Sequence, residues 1–329
     1  MAMMPFRPSR RALLAAASLL AVPLGGGTTA AAGSDFNDFL AGVRRDAYAQ
    51  GIRPATIDIA FRHIQYLPHV IELDRKQPEH KMTFAEYMEK VVTQQRLDDA
   101  RRQLVDNWGL LQRVHQRFNV QPRFIVTLWG VESDFGRTMG SYSVPAALAT
   151  LAYEGRRGAM FRAELIAALK ILDQGNVRPE HMLGSWAGAM GQCQFMPTTF
   201  LSYAVDFDGD GRRDIWNDRA DVLASIAHYL SRLGWHGNEG WGREVVVPPN
   251  LEAGMDRRRP IADWARLGVR PANGAPFTGR EPDAWLVMPD GARGTALLVY
   301  DNFRAIKRWN NSNYFAAAVG YIADSIDRG

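Results

Sequence analysis

One glutamate stands at the end of a helical pattern, where its neighbours would alter its acidity. Residues 122–136 read PRFIVTLWGVESDFG, in which Pro122 suits the first helical turn and Gly136 suits the stop. On such a helix Glu132 falls on the apolar stripe, one turn after Trp129. Because loss of solvation favours the protonated form of a carboxyl group, this placement is typical of the general acid of a glycoside-cleaving enzyme.

The same spacing is also compatible with a structural role for this glutamate. In that case Glu132 would be partly exposed, with its stem against Trp129 and its carboxylate paired with Arg137 or with an arginine distant in sequence. Asp134 lies two residues further on and points elsewhere on a helix, so the two acids do not form a catalytic pair. Spacing alone leaves both roles open.

A second segment combines small residues with neutral polar groups and aromatic rings. Residues 184–200 read GSWAGAMGQCQFMPTTF, and the glycines and alanines allow the backbone to approach a ligand closely. Three residues supply neutral hydrogen-bonding groups beside aromatic rings, a mixture that suits a sugar: Ser185, Gln192 and Gln194. Taken alone, the segment is equally compatible with a structural role, in which its small residues permit tight helix packing.

A third segment predicts a cation site. Residues 206–217 read DFDGDGRRDIWN. Five residues match positions one, three, five, six and seven of an EF-hand loop: Asp206, Asp208, Asp210, Gly211 and Arg212, the last through its carbonyl. Asn217 replaces the bidentate glutamate at position twelve, so we expect modest affinity for Ca²⁺. Asp218 or Asp221 can supply the late ligand, and we take Asp221. The alternative is a solvated acidic turn.

These segments must be positioned by a mostly helical chain. Apolar spacing predicts helices over about 35–51, 83–91, 98–118 and 315–326, and another that Thr56 would cap. Short β-type runs follow at 245–249, 284–288 and 296–300, with a short helix at 261–267. The predicted fold class is therefore mainly α (α+β), with a small β-containing insertion near the C-terminal end.

Composition narrows the class of protein. The chain has 329 residues, of which 47% are hydrophobic and 22% charged, which excludes a collagen, a coiled-coil rod and a disordered chain. Its single cysteine, Cys193, excludes an intramolecular disulfide and a cysteine-rich zinc site. The formal net charge is +4, and three of the arginines lie in a segment we expect to be removed. A partner of strongly negative charge, such as a nucleic acid, therefore gains no support.

The N-terminal segment predicts export. Residues 1–32 carry a basic stretch, an apolar run from Ala12 to Leu24, and a small-residue cleavage site at Ala30–Ala32. The apolar run is short and rich in alanine, which favours a cleaved signal peptide over an uncleaved anchor. We therefore expect a soluble periplasmic protein that is not a lipoprotein, because no cysteine stands near the cleavage site.

Taken together, these segments resemble one enzyme family. The stretches VTLWGVESDFGR, GSWAGAMGQCQFMP, AVDFDGDGRRDIW and FRAIKRWNNSNYFAAAV, in this order, are similar to those of the lytic murein transglycosylase B family, glycoside hydrolase family 103. The resemblance runs from about Asp35 to Ile326. It implies a lysozyme-like core with extra helical and small β parts. It also implies non-hydrolytic cleavage of the bond between N-acetylmuramic acid and N-acetylglucosamine in peptidoglycan.

The resemblance also assigns roles to residues. It implies that Glu132 acts first as general acid and then as base, and that no cofactor is needed beyond a possible structural Ca²⁺. Eight further residues are implied to contact the saccharide or its peptide: Ser185, Gln194, Phe195, Arg156, Arg157, Tyr229, Trp309 and Asn310. Trp309 stands where the family has tyrosine, which removes a hydroxyl contact and keeps a stacking surface.

The expected organisation follows the same resemblance. After the signal peptide, residues 33–329 would form the catalytic region. Its expected parts are a helical part, a lysozyme-like core with an EF-hand-like loop at 206–221, a β-containing insertion and a C-terminal helix: 33–118, 119–241, 242–303 and 304–329. The expected partners are glycan strands and cell-wall machinery proteins, and the expected state is a monomer. A lysozyme-like muramidase that uses water, and a non-catalytic cell-wall scaffold, are the alternatives.

Overall fold

The computed structural model describes residues 31–62, 64–76, 82–249 and 251–327, with side chains from Asp35 onward. The predicted signal peptide therefore lies almost entirely outside the described residues. Within them the chain is mainly helical, with a small amount of strand, which confirms the predicted fold class.

The helices are numbered in chain order. They are α1 Ala31–Ala49, α2 Pro54–Phe61, α3 Pro68–Arg75, α4 Phe84–Val91, α5 Gln94–Asp106, α6 Trp108–Phe118, α7 Pro122–Ser133, α8 Val144–Glu154, α9 Gly158–Asp173, α10 Pro197–Tyr203, α11 Arg219–Arg232, α12 Ile261–Arg266, α13 Asp301–Trp309 and α14 Asn313–Ile326. Among the described residues, no helix is both long enough and apolar enough to cross a bilayer.

Local chemistry explains where several helices begin and end. Thr83 caps α4 in a capping box with Glu86, as the sequence predicts. The prediction that Thr56 caps the second helix is wrong, because Pro54 occupies the first turn and the Thr56 hydroxyl instead hydrogen-bonds Asp173. The single helix predicted over 98–118 is two helices, separated at Asn107.

Clustering of contacts divides the chain into two compact units, each considered for its described residues only. The first comprises Met1–Glu79 with Glu132–Ser225, and the second comprises His80–Val131 with Ile226–Gly329. The finer subdivision expected from the sequence stays a prediction.

The first unit is built around a helical hairpin. Helices α8 and α9 pack against each other, and α9 also packs on α10 and on α1 and α2. Nearly the whole of α8 is buried, and α9 buries nine of its residues. A two-stranded antiparallel sheet joins β1, Tyr142–Ser143, to β2, Leu183–Gly184.

The second unit holds a five-stranded antiparallel sheet and the C-terminal helices. Its strands are β3 Gly242–Val246, β4 Gly254–Arg259, β5 Arg270–Pro271, β6 Ala284–Val287 and β7 Ala296–Val299, in the order β4-β6-β7-β3-β5. Three of them were predicted from β-branched and aromatic runs. The arginine-rich β4 and the two-residue β5 carry no such signal.

The sheet has its own hydrophobic core. Leu286 pairs with Leu298 across β6 and β7, and both pack with Trp264 of α12. The Trp264 indole N–H donates to the Ala284 carbonyl, so the buried ring leaves no unpaired donor. The segment predicted as one C-terminal helix contains two, α13 and α14, which pack on each other.

Candidate active site

Glu132 is held at the C-terminal end of α7 by its immediate neighbour. The Ser133 hydroxyl donates to the Gln192 carbonyl at 2.7 Å and accepts the Gly136 N–H at 3.1 Å. Glu132 itself is only 4% exposed, so the alternative of a partly exposed surface glutamate is wrong. Arg137, which this alternative also named, pairs with Asp134 at 2.8 Å, and the role of Glu132 as catalytic acid stays a prediction.

The backbone that follows Glu132 is strained. Asp134, Phe135 and Gly136 all have positive φ, at 52°, 57° and 84°. Gln194, in the glycine-rich segment, is another non-glycine residue in this conformation, with φ 50°. Non-glycine residues rarely adopt left-handed backbone, and they concentrate where a structure enforces them for function. The strain therefore marks both segments that the sequence singled out.

The glycine-rich segment presents buried polar groups. The Ser185 hydroxyl accepts the Ala189 N–H at 3.0 Å, which leaves its own proton free to donate. The Gln194 side-chain amide donates to the carbonyls of Met139 and Gly191, at 3.0 and 2.9 Å. These bonds fix the side chains that the sequence proposed for saccharide contact, whereas Phe195 is fully buried.

Two glycines permit a close backbone approach beneath this segment. A Cβ on Gly140 would lie 2.1 Å from the Gly184 carbonyl oxygen and 2.6 Å from the Ser185 nitrogen. A Cβ on Gly184 would lie 2.2 Å from the Ala189 carbonyl oxygen. No side chain fits at either position, so these glycines set the position of Ser185.

The glycine-rich segment is tied to the end of the acidic loop. Gln192 donates both connecting bonds: its N–H donates to the Ile215 carbonyl and its side-chain amide to the Trp216 carbonyl, both at 2.8 Å. The Trp216 indole N–H donates to the Leu183 carbonyl at 3.0 Å. The conformation of the loop therefore bears directly on the backbone that carries Ser185.

The acidic loop gathers the three carboxylates expected from its spacing. Oxygens of Asp206, Asp208 and Asp210 lie within 4.8 Å of one another. Asp206 also accepts the N–H groups of Gly209 and Gly211, which folds the chain around the cluster. Hard oxygen ligands so arranged fit Ca²⁺.

Asp221 plays a different part in the same loop. It is not in the carboxylate cluster found among the described residues, and its two oxygens accept the N–H groups of Phe207 and Asp214, each at 2.7 Å. Burial raises the pKa of Asp221 to about 6, although both hydrogen bonds act in the opposite direction. Asp221 braces the loop from within, and its role as late ligand stays a prediction.

Arg156 and Arg157 share one buried carboxylate. Asp74, at the end of α3, accepts from Arg156 at 2.6 Å and from Arg157 at 2.5 Å. Arg156 remains about half exposed, with a side-chain exposed fraction of 48%, whereas that of Arg157 is 17%. The pair is thus held in a fixed geometry, and Arg156 keeps a surface that an anion can reach.

Replacing this shared carboxylate tests how firmly the arginines are held. We expect Asp74→Asn to lower the free energy of unfolding by about 2–3 kcal/mol, since it leaves Arg157 without its charged acceptor. Urea unfolding followed by circular dichroism measures the change. Asp46→Asn is the control, because it breaks an exposed pair with Arg162 that is worth at most about 1 kcal/mol. Equal midpoints for the two variants would contradict the expectation.

The second unit contains the other expected saccharide residues. The rings of Tyr229 and Trp309 lie 4.9 Å apart at 38°. Asn310 is 3% exposed, and both polar atoms of its side-chain amide are buried without a hydrogen-bond partner in the part of the chain that the structure describes. An unsatisfied buried amide costs free energy, so a ligand that supplied its hydrogen-bond partners would be stabilised there. An acetamido group offers the matching donor and acceptor.

The structure buries four carboxyl groups besides that of Glu132. Among the described residues these are Asp74, Asp99, Glu164 and Asp221. Asp99 pairs with Arg102, and Glu164 accepts both the N–H and the hydroxyl of Thr198 at the start of α10. Burial raises the pKa of Glu164, but these bonds commit both of its oxygens. Each of the four thus has a bracing role.

Reasoning from the sequence missed two of the residues that support the site and gave a third a different role. Ser133, Gln192 and Asp74 fix Glu132, the glycine-rich segment and the two arginines. Ser133 stands inside its motif, so its type and position were visible, and Gln192 was expected to contact a sugar, whereas its side-chain amide donates to the Trp216 carbonyl. Asp74 lies more than 80 residues before its partners, with no pattern to link them.

Comparison with known proteins supports one family. The family model described as "Transglycosylase SLT domain" matches residues 35–324. The chain is 34% identical over 222 residues to membrane-bound lytic murein transglycosylase B of Escherichia coli (strain K12), covering 66% of this chain. It spans 60% of the length of that relative.

Solved structures extend the similarity to the fold. SltB3 from Pseudomonas aeruginosa, in complex with NAG-anhNAM-pentapeptide, has a TM-score of 0.86 and 44% identity, over 89% of this chain and 80% of that chain. The Escherichia coli lytic transglycosylase Slt35, in complex with calcium, has a TM-score of 0.76 and 28% identity, over 89% of this chain and 93% of that chain. The mainly helical, lysozyme-like fold is shared with these proteins.

Proposed function

Because the chain belongs to the transglycosylase SLT domain family, we propose that it cleaves the glycan strands of peptidoglycan non-hydrolytically. The bond broken joins N-acetylmuramic acid to N-acetylglucosamine, and the new end is a 1,6-anhydromuramoyl group. The observation that carries this proposal is the position of Glu132: it is buried at the C-terminal end of α7, within the family motif and directly before residues with left-handed backbone.

The proposed reaction uses one carboxyl group twice. Glu132, protonated, donates its proton to the glycosidic oxygen as the bond from that oxygen to C1 breaks. The 2-acetamido carbonyl of the muramoyl residue stabilises the anomeric centre, as in substrate-assisted glycosidases. The Glu132 carboxylate then takes the proton of the C6 hydroxyl, whose oxygen closes on C1. The proton count balances, Glu132 is protonated again, and no water is consumed.

Other residues would position the sugar and its substituents. Ser185, whose hydroxyl accepts the Ala189 N–H, and Asn310, whose buried amide is unsatisfied among the described residues, are each proposed to contact the muramoyl N-acetyl group or to orient the reacting sugar. Gln194, Phe195, Tyr229 and Trp309 are proposed to form saccharide-binding surface. Arg156 and Arg157 suit the lactyl and peptide carboxylates, since a guanidinium group binds a carboxylate through paired hydrogen bonds.

The mass of the released products tests the proposal. Purified peptidoglycan digested with the mature protein should release muropeptides lighter, by the mass of one water, than those that a hydrolase releases. Products of full mass with reducing ends would instead identify a lysozyme-like muramidase. Release of no product, with glycan binding intact, would identify a cell-wall scaffold.

The acidic loop is proposed to hold a structural Ca²⁺. The carboxylates of Asp206, Asp208 and Asp210 and the carbonyl of Arg212 would supply ligands, with Asp221 as the late ligand. The ion would neutralise three clustered negative charges. Because Gln192 ties the glycine-rich segment to the end of this loop, a rigid loop would also steady Ser185.

Removing calcium should lower thermal stability. At a calcium concentration one hundred times Kd, binding to the native state alone adds about 2.7 kcal/mol, and a chelator should abolish this gain. Differential scanning calorimetry with calcium and with chelator measures the change. In Asp208→Asn the calcium-dependent gain should largely vanish, whereas Asp256→Asn, at an exposed acid of the second unit, should retain it. An identical Tm with calcium and with chelator in the parent protein would refute the site.

The proposed setting of the reaction is the periplasm. Peptidoglycan lies outside the cytoplasm, and the sequence of residues 1–32 supports export by a signal peptide. Glycan strands with their stem peptides are the proposed partner, and cell-wall machinery proteins are further candidates. A monomer is the proposed oligomeric state.

A further inference from the structure

An open pocket with a basic lining lies in the second unit, outside the groups assigned above. Its volume is about 390 Å³. It is lined by Met255 of β4, by Arg304, Lys307 and Arg308 of α13, and by Asn311. The three cations occupy the face of α13 opposite its buried residues, so they are side by side on one surface.

These three cations are not equally neutralised. Asp301 lies 3.5 Å from Arg304, and the Arg304 guanidinium also stacks over the Trp285 ring at 4.8 Å. Arg308 donates to the Leu233 carbonyl at 2.8 Å and forms no ion pair with the described residues. The lining therefore keeps a net positive charge.

Among the three cations, Lys307 has its charge neutralised least. It forms neither an ion pair nor a hydrogen bond with the described residues, although it is half-buried. Burial lowers the pKa of Lys307, because the ammonium group loses part of its hydration. An anion in the pocket would supply that missing partner.

The position of the pocket on its helix indicates what the anion belongs to. Helix α13 ends at Trp309, and Asn310 follows it directly. Asn310 is a proposed contact of the muramoyl sugar and Trp309 is part of the proposed saccharide-binding surface, so the inference rests on the proposed function. The muramoyl sugar carries the lactyl-linked stem peptide, which bears carboxylates on aliphatic stems. Met255 and the methylene groups of Lys307 suit such stems.

We propose that this pocket binds a carboxylate of the stem peptide, with Lys307 and Arg308 as its principal ligands. The site is separate from the Arg156 and Arg157 pair, which belongs to the first unit. Its consequence is a preference for peptide-bearing strands over bare glycan. A lysine and an arginine that bind one carboxylate together confer charge selectivity, because a neutral amide in its place would lose a charge-assisted bond.

Binding of the free stem peptide tests the proposed pocket independently of catalysis. Isothermal titration of the full protein with free stem pentapeptide should give an affinity about ten-fold weaker for Lys307→Met, as expected for one lost charge-assisted bond. Lys307→Arg should restore most of the affinity. Lys90→Met, which removes an exposed charge on α4, is the matched control and should bind like the parent. Equal affinities for the parent and Lys307→Met would overturn the proposal.

Kinetic measurements on two substrates distinguish failure of the proposed pocket from failure of the proposed function. The ratio of kcat/KM for peptide-bearing strands to that for the same strands stripped of peptide should exceed one in the parent. It should fall towards one in Lys307→Met. A ratio that Lys307→Met leaves unchanged would contradict the pocket, even where anhydro products form. If neither substrate gives anhydro products, the proposed function fails, and the peptide titration still decides the pocket.

Discussion

Replacing Glu132 with glutamine is expected to reduce release of anhydromuropeptides by about 10²–10⁴-fold, the usual contribution of a positioned general acid. Glutamine keeps the shape and the hydrogen-bonding oxygen, but it can neither donate the proton to the glycosidic oxygen nor accept the C6 hydroxyl proton. Because both steps use the same carboxyl group, the loss should appear in kcat rather than in KM. Product release from purified peptidoglycan, followed by chromatography and mass spectrometry, measures it.

The control for this variant is a neighbouring acid. Asp134 lies two residues away and pairs with Arg137 at 2.8 Å, and Asp134→Asn should keep most of the activity. Glu132→Gln should also remain folded, with an unfolding midpoint close to that of the parent. Near-normal release by Glu132→Gln would place the catalytic acid elsewhere in the chain.

Adding one methyl group at Gly140 should have a large effect on stability. Gly140→Ala places a Cβ 2.1 Å from the Gly184 carbonyl oxygen, at a residue with φ 94°. Both contacting groups are backbone, so the main chain must move, and we expect a loss of at least about 3 kcal/mol. Because the Ser185 nitrogen is also in contact, the displacement should lower activity as well. Chemical denaturation and product release measure the two effects.

The control variant Gly175→Ala distinguishes the effect of steric contact from that of backbone strain. It has φ 75°, and no atom lies within 4 Å of the position that a Cβ would take, so Gly175→Ala carries only the left-handed strain of about 1 kcal/mol. Its activity should match that of the parent. If both variants lost the same stability, the close approach at Gly184 would not be what Gly140 is required for.

The catalytic segment could be predicted from local patterns, because its determinants are close in sequence. Pro122, the apolar stripe and the polar end of α7 define a helix that ends at Ser133. The spacing of Asp206, Asp208 and Asp210 likewise predicted the carboxylate cluster that the structure contains. In each case one short stretch supplies both the elements and the functional groups.

Contacts between distant segments could not be predicted in this way. No periodicity connects Asp74 to Arg156, and none connects Gln192 to the end of the acidic loop. Strand β4 was missed because its run of exposed arginines does not resemble a strand, and its pairing with β6 is what orders it. Tertiary contacts thus determine the side-chain partners and the strand that local sequence propensity does not predict.

The most direct test of the proposed mechanism is the source of the oxygen on C1 of the new muramoyl end. Peptidoglycan should be digested by the mature protein in water enriched in oxygen-18, and the released muropeptides analysed by mass spectrometry. The mechanism predicts anhydromuramoyl products without heavy oxygen, because the C6 oxygen of the same sugar closes on C1. Heavy oxygen at C1 of reducing-end products would show that water attacks, and would contradict the proposal that Glu132 acts on the C6 hydroxyl.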